Sequence, residues 1–322
     1  MKLLPIKITI AAAIMLIGVF VVLRLLSLSG DLAAAPPIER PGFIVPGLVL
    51  YGVTLLLYAA LWRTVVCRLD TIRPPMIDSA SVFCASWVGR YIPSGLPYVA
   101  GKFVMGMRIG HSKPALAASL LYENVLLVSV AVISASIVIP LALGGEGAVL
   151  LYVGAGLGAV AALAVLAPPV LQRIVSCAAR LANKPPIARE YFLSGRGIAM
   201  AAAIAAVGVL FNGAAFAFVL GAFTHLDARE WLASAAIFNL AGAIGVAVLP
   251  VPSGLGVREA ILIGLLQLFV PIEVAAASAV LMRLGGIAVD VLFGLAGAAV
   301  FAWRQREPAM ADRVAQRRPS TP

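Results

Sequence analysis

The chain has 322 residues, of which 62% are hydrophobic and only 12% are charged. Soluble globular proteins carry about 25% charged residues, so this composition, with a mean hydropathy of +1.05, excludes an ordinary soluble enzyme. A net charge of +10 would suggest nucleic-acid binding in a soluble protein. Here the loop topology explains that charge, and we expect no nucleic-acid partner. The sequence predicts an all-α polytopic membrane protein that forms a single transmembrane domain, residues 1–322.

Six apolar stretches reach about 20 residues, the length needed to cross a bilayer. In chain order these predicted spans are Ile8–Leu26, Phe43–Trp62, Ala115–Pro140, Val149–Ala167, Ile198–Phe223 and Val274–Trp303. The first resembles a signal peptide, but its apolar run is long for one, so we interpret it as a retained helix. Residues 304–322 are rich in Pro, Ser and Arg, which predicts a disordered cytoplasmic tail.

Two apolar regions are interrupted by nearly the same short sequence, IPSGL at residues 92–96 and VPSGL at residues 251–255. The two prolines, Pro93 and Pro252, are 159 residues apart. Proline and glycine break helices, and a span broken at membrane depth must be covered by protein or line a cavity. We predict a re-entrant hairpin at each break. The piece before the second break, 231–249, could instead cross fully, which leaves a layout with eight or ten spans open.

The loop charges fit six spans and two hairpins with both termini in the cytoplasm. This layout places 17 of the 24 basic residues inside and only Arg40 and Arg229 outside, as the positive-inside rule requires. The first hairpin then enters from the cytoplasm and the second from the opposite side. The sequence therefore predicts two pseudo-repeats of inverted topology, about 8–140 and 149–303, as in many transporters.

Ionisable side chains at membrane depth cost about 2.5–3.5 kcal/mol each on insertion scales, which makes them candidates for function. The apolar segments contain Arg90, Lys102, Glu123, Arg258, Glu259, Arg283 and Asp290. Glu123 and Arg283 are 160 residues apart, so an inverted repeat would bring them close together, and we predict that they pair. The alternative is that each satisfies a local neighbour, Asn124 beside Glu123 and Asp290 near Arg283.

The tip of a half-helix favours an anionic headgroup, because its backbone N–H groups and its dipole carry partial positive charge. Basic side chains beside it would add charge for a phosphate. The predicted substrate-binding residues are Arg90, Tyr91, Pro93, Gly95, Lys102, Glu123, Pro252, Gly254, Gly256, Arg258, Glu259 and Arg283. A plain interfacial turn at each break is the alternative. The sequence offers no metal-ligand cluster or nucleophile with a base, so we expect no catalytic residue, metal or cofactor.

The segment from Leu249 to Glu259 resembles the Pro-x-x-Gly-x-Gly-x-x-Glu signature of the lysylphosphatidylglycerol synthase transmembrane (flippase-domain) family. Residues 90–95 resemble its Lys-Tyr-x-Pro-Gly segment, with Arg for Lys and a serine inserted before the glycine. Glu123 and Arg283 match the acidic and basic positions in the spans that follow. The resemblance covers nearly the whole chain and implies an inner-membrane protein that moves a lipid or assists a lipid-modifying enzyme. Stand-alone relatives are associated with lipids that include hopanoids, and without an aminoacyl-transferase domain lysyl transfer is not expected.

The first functional hypothesis is a lipid transporter, or flippase, of the bacterial inner membrane. The headgroup of an anionic or polar lipid would enter a midplane cavity between the hairpins, while the tails stay in the bilayer. The second hypothesis is an integral-membrane enzyme, or an accessory subunit, that acts on a lipid-linked substrate. The third is a scaffold without a cavity. The expected partners are a membrane lipid and lipid-biosynthesis enzymes.

Overall fold

The computed structural model describes residues 36–92, 96–144, 149–181, 191–247 and 256–306, and these ranges contain helices but no strand. A 3-10 turn at Pro41–Phe43 precedes the first helix, and another at Val88–Tyr91 continues the second. The helices of the described ranges are α1 Ile44–Leu69, α2 Met76–Trp87, α3 Leu96–Arg108, α4 Lys113–Leu143, α5 Val149–Leu166, α6 Pro168–Leu181, α7 Gly195–Gly221, α8 Ala228–Ala247, α9 Val257–Leu266 and α10 Ile272–Arg304.

Several helices are long and apolar enough to cross a membrane. Four qualify by themselves: Pro41–Leu69, Lys113–Leu143, Gly195–Gly221 and Ile272–Arg304. A fifth span would combine Tyr152–Leu166 with Pro168–Ile174, which meet at a bend of 71°. The chain is therefore a multi-pass membrane protein, and four of its predicted spans are confirmed. The first predicted span, Ile8–Leu26, lies outside the described residues.

Local sequence explains where these long helices begin and end. Ser112 caps α4 by accepting a hydrogen bond from the backbone N–H of Ala115 at 3.4 Å, and Ser194 caps α7 in the same way. α1 continues beyond the predicted end at Trp62 to Leu69. Arg68 lies in its last turn, where a positive charge is favourable beside the unpaired carbonyl groups.

Three helices beside the two sequence breaks are too short to cross a bilayer. α2, α3 and α9 have 12, 13 and 10 residues, against about 20 needed for a full span. They flank the breaks at which the sequence predicts re-entrant hairpins. The breaks themselves, with Pro93, Gly95, Pro252 and Gly254, lie outside the described residues.

The helix contacts come in matched pairs. α1 packs against α7, α2 packs against α10, and α8 packs against α4. α3 touches α2 and α4, just as α9 touches α8 and α10. Exchanging α1–α4 with α7–α10 therefore maps the contact between α1 and α7 onto itself and each of the other contacts onto another one of the set.

Glycines allow the closest of these approaches. A Cβ atom added at Gly297 on α10 would lie 2.9 Å from the backbone of both Ala85 and Ser81 on α2. One added at Gly47 on α1 would lie 2.9 Å from the carbonyl oxygen of Ala215 on α7. Small residues are typical of helix contacts in membranes, where close packing rather than water exclusion holds helices together.

The buried apolar side chains form two main clusters. One contains Trp62 and Phe83, and the other contains Phe216 and Phe238. Lys102 lies against the first cluster, with its Nζ atom 4.4 Å from the centre of the Phe83 ring. Arg258 lies over the Phe238 ring of the second cluster. Each apolar cluster therefore supports a cation of the site described next.

Candidate functional site

A cavity of about 310 Å³ lies among helices from both halves of the chain. Its polar lining includes Tyr58, Arg90, Tyr98, Glu123, Asn239 and Arg258. Its apolar lining includes Leu127, Val128, Ala131, Val209, Ala243 and Val246. The cavity can therefore offer both polar and apolar contacts to a ligand.

A small recess of about 20 Å³ adjoins this cavity, enough space for about one water molecule or one small polar group. The two spaces share four lining residues, Tyr51, Arg90, Phe238 and Arg258. Tyr91, Glu259 and Arg283 are among the other residues that line the recess. Three arginines and one glutamate thus meet around a very small volume.

The first ion pair of the site joins Lys102 on α3 to Glu123 on α4. The Lys102 Nζ atom lies 2.5 Å from Glu123 Oε2, and both side chains are buried. Tyr98, one turn before Lys102, donates its hydroxyl hydrogen to Glu123 Oε1 at 2.9 Å and accepts a hydrogen bond from Lys102 at 2.6 Å. Both charges are therefore satisfied within this group of three side chains.

The second ion pair joins Glu259 on α9 to Arg283 on α10. Arg283 Nη1 lies 3.6 Å from Glu259 Oε1, and the other carboxylate oxygen accepts a hydrogen bond from the backbone N–H of Gly256 at 2.9 Å. Gly256 has a φ of 84°, a backbone conformation that favours glycine, and it begins α9. The Nε atom of Arg283 is buried and has no hydrogen-bond partner among the described residues.

The other two arginines of the recess stack on aromatic rings. The guanidinium carbon of Arg90 lies 4.4 Å from the centre of the Trp87 ring, and that of Arg258 lies 4.5 Å from the centre of the Phe238 ring. A cation over an aromatic face is attracted by the negative charge density of the ring. These contacts hold both positive charges at the wall that the cavity and the recess share.

Asp290 ties three aromatic side chains together behind the cavity. It is fully buried and accepts hydrogen bonds from Tyr51 at 3.0 Å, from Trp87 Nε1 at 3.2 Å and from the Tyr91 hydroxyl. These donors lie on α1, at the end of α2 and in the 3-10 turn after α2. Asp290 therefore fixes the position of three residues that line the cavity or the recess.

The prediction that Glu123 pairs with Arg283 is wrong. Glu123 pairs with Lys102, 21 residues earlier, and Arg283 pairs with Glu259. In each half, the short helix lies beside the long helix that follows it, so a partner on that short helix is the closer one. The alternative, that Asn124 satisfies Glu123 and Asp290 satisfies Arg283, is also wrong. Asn124 donates a hydrogen bond to the Leu120 carbonyl, and Asp290 accepts hydrogen bonds from aromatic side chains.

The predicted site residues fall into distinct groups. Arg90, Tyr91, Arg258, Glu259 and Arg283 surround the recess. Glu123 lines the cavity, where it holds Lys102. The prediction omitted Tyr51, Tyr58 and Trp87, because aromatic residues in apolar segments have no distinctive pattern. Asp290 was among the ionisable candidates for function but was not included in the predicted substrate-binding residues.

Comparison with known proteins identifies one family. The model of the family described as lysylphosphatidylglycerol synthase TM region matches residues 6–294. No curated protein matches the chain in the corresponding comparison. The matched range contains all residues that line the cavity and the recess, and it confirms the resemblance found from the segment Leu249 to Glu259.

Proposed function

The chain belongs to the lysylphosphatidylglycerol synthase TM region family, and we propose that it is a lipid transporter that moves a lipid with an anionic or polar headgroup between the two leaflets of the bacterial inner membrane. Family membership supports a role related to membrane lipids. The observation that carries the more specific proposal is the cavity of about 310 Å³, which is lined by both polar and apolar side chains.

The cavity matches the physical problem of lipid translocation. A charged or polar headgroup cannot cross the hydrocarbon core cheaply unless polar groups replace its water. The arginines, tyrosines and asparagine of the polar lining can do this, while the apolar lining lies against the acyl chains. We therefore place the headgroup near Arg90 and Arg258 and the start of the tails near Val128 and Val246.

The matched helix contacts support a transport mechanism based on two related halves. If α1–α4 are exchanged with α7–α10, the described set of helix contacts stays the same. The ion pairs follow the same rule with reversed charge: Lys102 on a short helix meets Glu123, and Glu259 on a short helix meets Arg283. Together with the loop charges, these features favour inverted repeats with re-entrant short helices and both termini in the cytoplasm.

Transport can be tested with purified protein in vesicles that contain a fluorescent phospholipid. Wild-type protein should carry the label between leaflets, whereas Arg258→Ala, Arg283→Ala and Glu123→Ala should reduce the rate at least tenfold at equal protein content. Arg108→Ala, an exposed arginine at the end of α3, is the matched control and should transport normally. Wild-type vesicles that exchange lipid no faster than protein-free vesicles would refute the proposal. Conversion of the lipid into a new species would instead indicate an enzyme.

A further inference from the structure

α6 departs sharply from the direction of α5. The two helices meet at a bend of 71° between Leu166 and Pro168. Two consecutive prolines, Pro168 and Pro169, begin α6. Proline lacks the N–H group that would continue a helix, but it fits the first turn of a new one. The sequence therefore ends α5 at this point and starts α6 in a new direction.

α5 alone accounts for most of the bilayer thickness. Its 18 residues form about 27 Å of helix, against a hydrocarbon core of about 30 Å. Val153, Leu157 and Val160 are exposed along α5, as expected for a helix in contact with lipid. The bend after α5 therefore lies near one membrane surface, and the 14 residues of α6 are too few to cross the bilayer again.

The two sides of α6 differ in polarity. Arg173, Cys177 and Arg180 are spaced by four and three residues, so they lie along one side of the helix, and all three are exposed. Val170 and Ile174, one turn apart, are half-buried. A helix with arginines on one side and branched apolar residues on another is typical of helices that lie flat in a membrane surface.

The apolar side of α6 is left to the surrounding lipid. Within the described ranges, α5 is the only helix in extensive contact with α6. None of the described residues of α6 belongs to the apolar clusters of the core. Because α5 already lies in the bilayer, the surface that borders α6 is the boundary between headgroups and acyl chains.

We propose that α6 lies in the plane of the membrane surface and binds it, with Val170 and Ile174 toward the acyl chains. Arg173 and Arg180 lie among anionic headgroups. The proposed topology, with both termini in the cytoplasm, puts α6 at the cytoplasmic leaflet, whose surface potential is negative. The partner is the bilayer surface rather than a molecule in the cavity, so the inference does not depend on the transport function. α6 thereby anchors the segment that joins α1–α4 to α7–α10.

Cys177 allows the position of α6 to be measured in the full chain. It is exposed, whereas Cys67 and Cys84 are buried. A thiol-reactive fluorophore should therefore label Cys177, and Cys177→Ser should take up little label. The labelled protein is placed in vesicles of phosphatidylcholine and phosphatidylglycerol in equal parts. Nitroxide lipids should quench the fluorophore more strongly from the headgroup than from the end of the acyl chain.

The role of the arginines is tested in the same vesicles. Each basic residue near an anionic surface adds to binding, so Arg173→Gln combined with Arg180→Gln should lower the ratio of surface-bound to detached helix at least about tenfold. This ratio is read from the fluorescence lifetimes of quenched and unquenched label. Vesicles of phosphatidylcholine alone should lower the ratio for the wild type in the same direction. Arg108→Gln, an exposed arginine on α3, is the control and should behave like the wild type.

Several results would overturn the inference. Stronger quenching from the end of the acyl chain would mean that α6 continues the span of α5. A fluorophore that no nitroxide lipid quenches, but that acrylamide reaches freely, would mean that α6 stays in water. A fluorophore protected from both quenchers until the protein is diluted with lipid would place a second copy of the chain on α6. An unchanged ratio in the arginine variant would remove the electrostatic contact with the headgroups.

Discussion

The buried pair of Lys102 and Glu123 allows a quantitative prediction about stability. Replacing Lys102 with Met keeps an unbranched side chain one atom shorter and removes its charge. Glu123 would then remain buried with only the Tyr98 hydroxyl as partner. Removing one member of a buried ion pair costs about 3–5 kcal/mol, because the other charge loses its compensation. We expect Lys102→Met to lower the free energy of unfolding by that amount.

The free energy of unfolding can be measured by sodium dodecyl sulfate titration of the protein in mixed micelles. Glu123→Gln should cost a similar amount, and the double variant should cost clearly less than the sum of the two, since the charges are removed together. Lys113→Met at the exposed start of α4 is the matched control and should leave the unfolding curve in place. A loss below about 1 kcal/mol for Lys102→Met, the range of exposed ion pairs, would refute the reasoning.

Two further predictions concern the loop before α4 and the contact between α10 and α2. Burial lowers the pKa of His111, and the Asp70 carboxylate, 3.6 Å away, only partly offsets this. The unfolded chain then binds the proton more readily, so thermal stability should fall as the pH drops below about 6.5, and His111→Phe should flatten this dependence. At the helix contact, Gly297→Leu should cost about 1–3 kcal/mol or more, because its side chain meets backbone atoms of α2. Gly154→Leu, with open space around it, should not destabilise the protein. A pH profile unchanged by the first variant, or equal unfolding curves for the two glycine variants, would contradict these expectations.

The sequence predicted the long helices well because each depends on local information. Hydropathy over about 20 residues is enough to identify a span, and four of the predicted spans agree with helices of the structure. The helix ends differ by a few residues where serine caps and basic side chains extend the helix. α1, for example, continues seven residues beyond Trp62 because Arg63 and Arg68 lie at its polar end.

The contacts within the site could be predicted only in part. Repeat spacing drew attention to Glu123 and Arg283, which each form a buried ion pair, but it could not identify their partners. Partners depend on which helices are neighbours, and α3 and α9 lie closer to these charges than the equivalent long helices do. The aromatic donors to Asp290 are separated from it by about 200 residues or more of sequence, so no local pattern connects them.

The two buried ion pairs, Lys102–Glu123 and Glu259–Arg283, differ in how completely their hydrogen bonds are satisfied. Tyr98 completes the Lys102–Glu123 group, which leaves its charges fully satisfied by protein. The Glu259–Arg283 pair is longer, at 3.6 Å, and the buried Nε–H group of Arg283 has no hydrogen-bond partner among the described residues. Of these two ion pairs, only Glu259–Arg283 therefore keeps a buried donor for a ligand oxygen, whereas Lys102–Glu123 serves to hold α3 against α4.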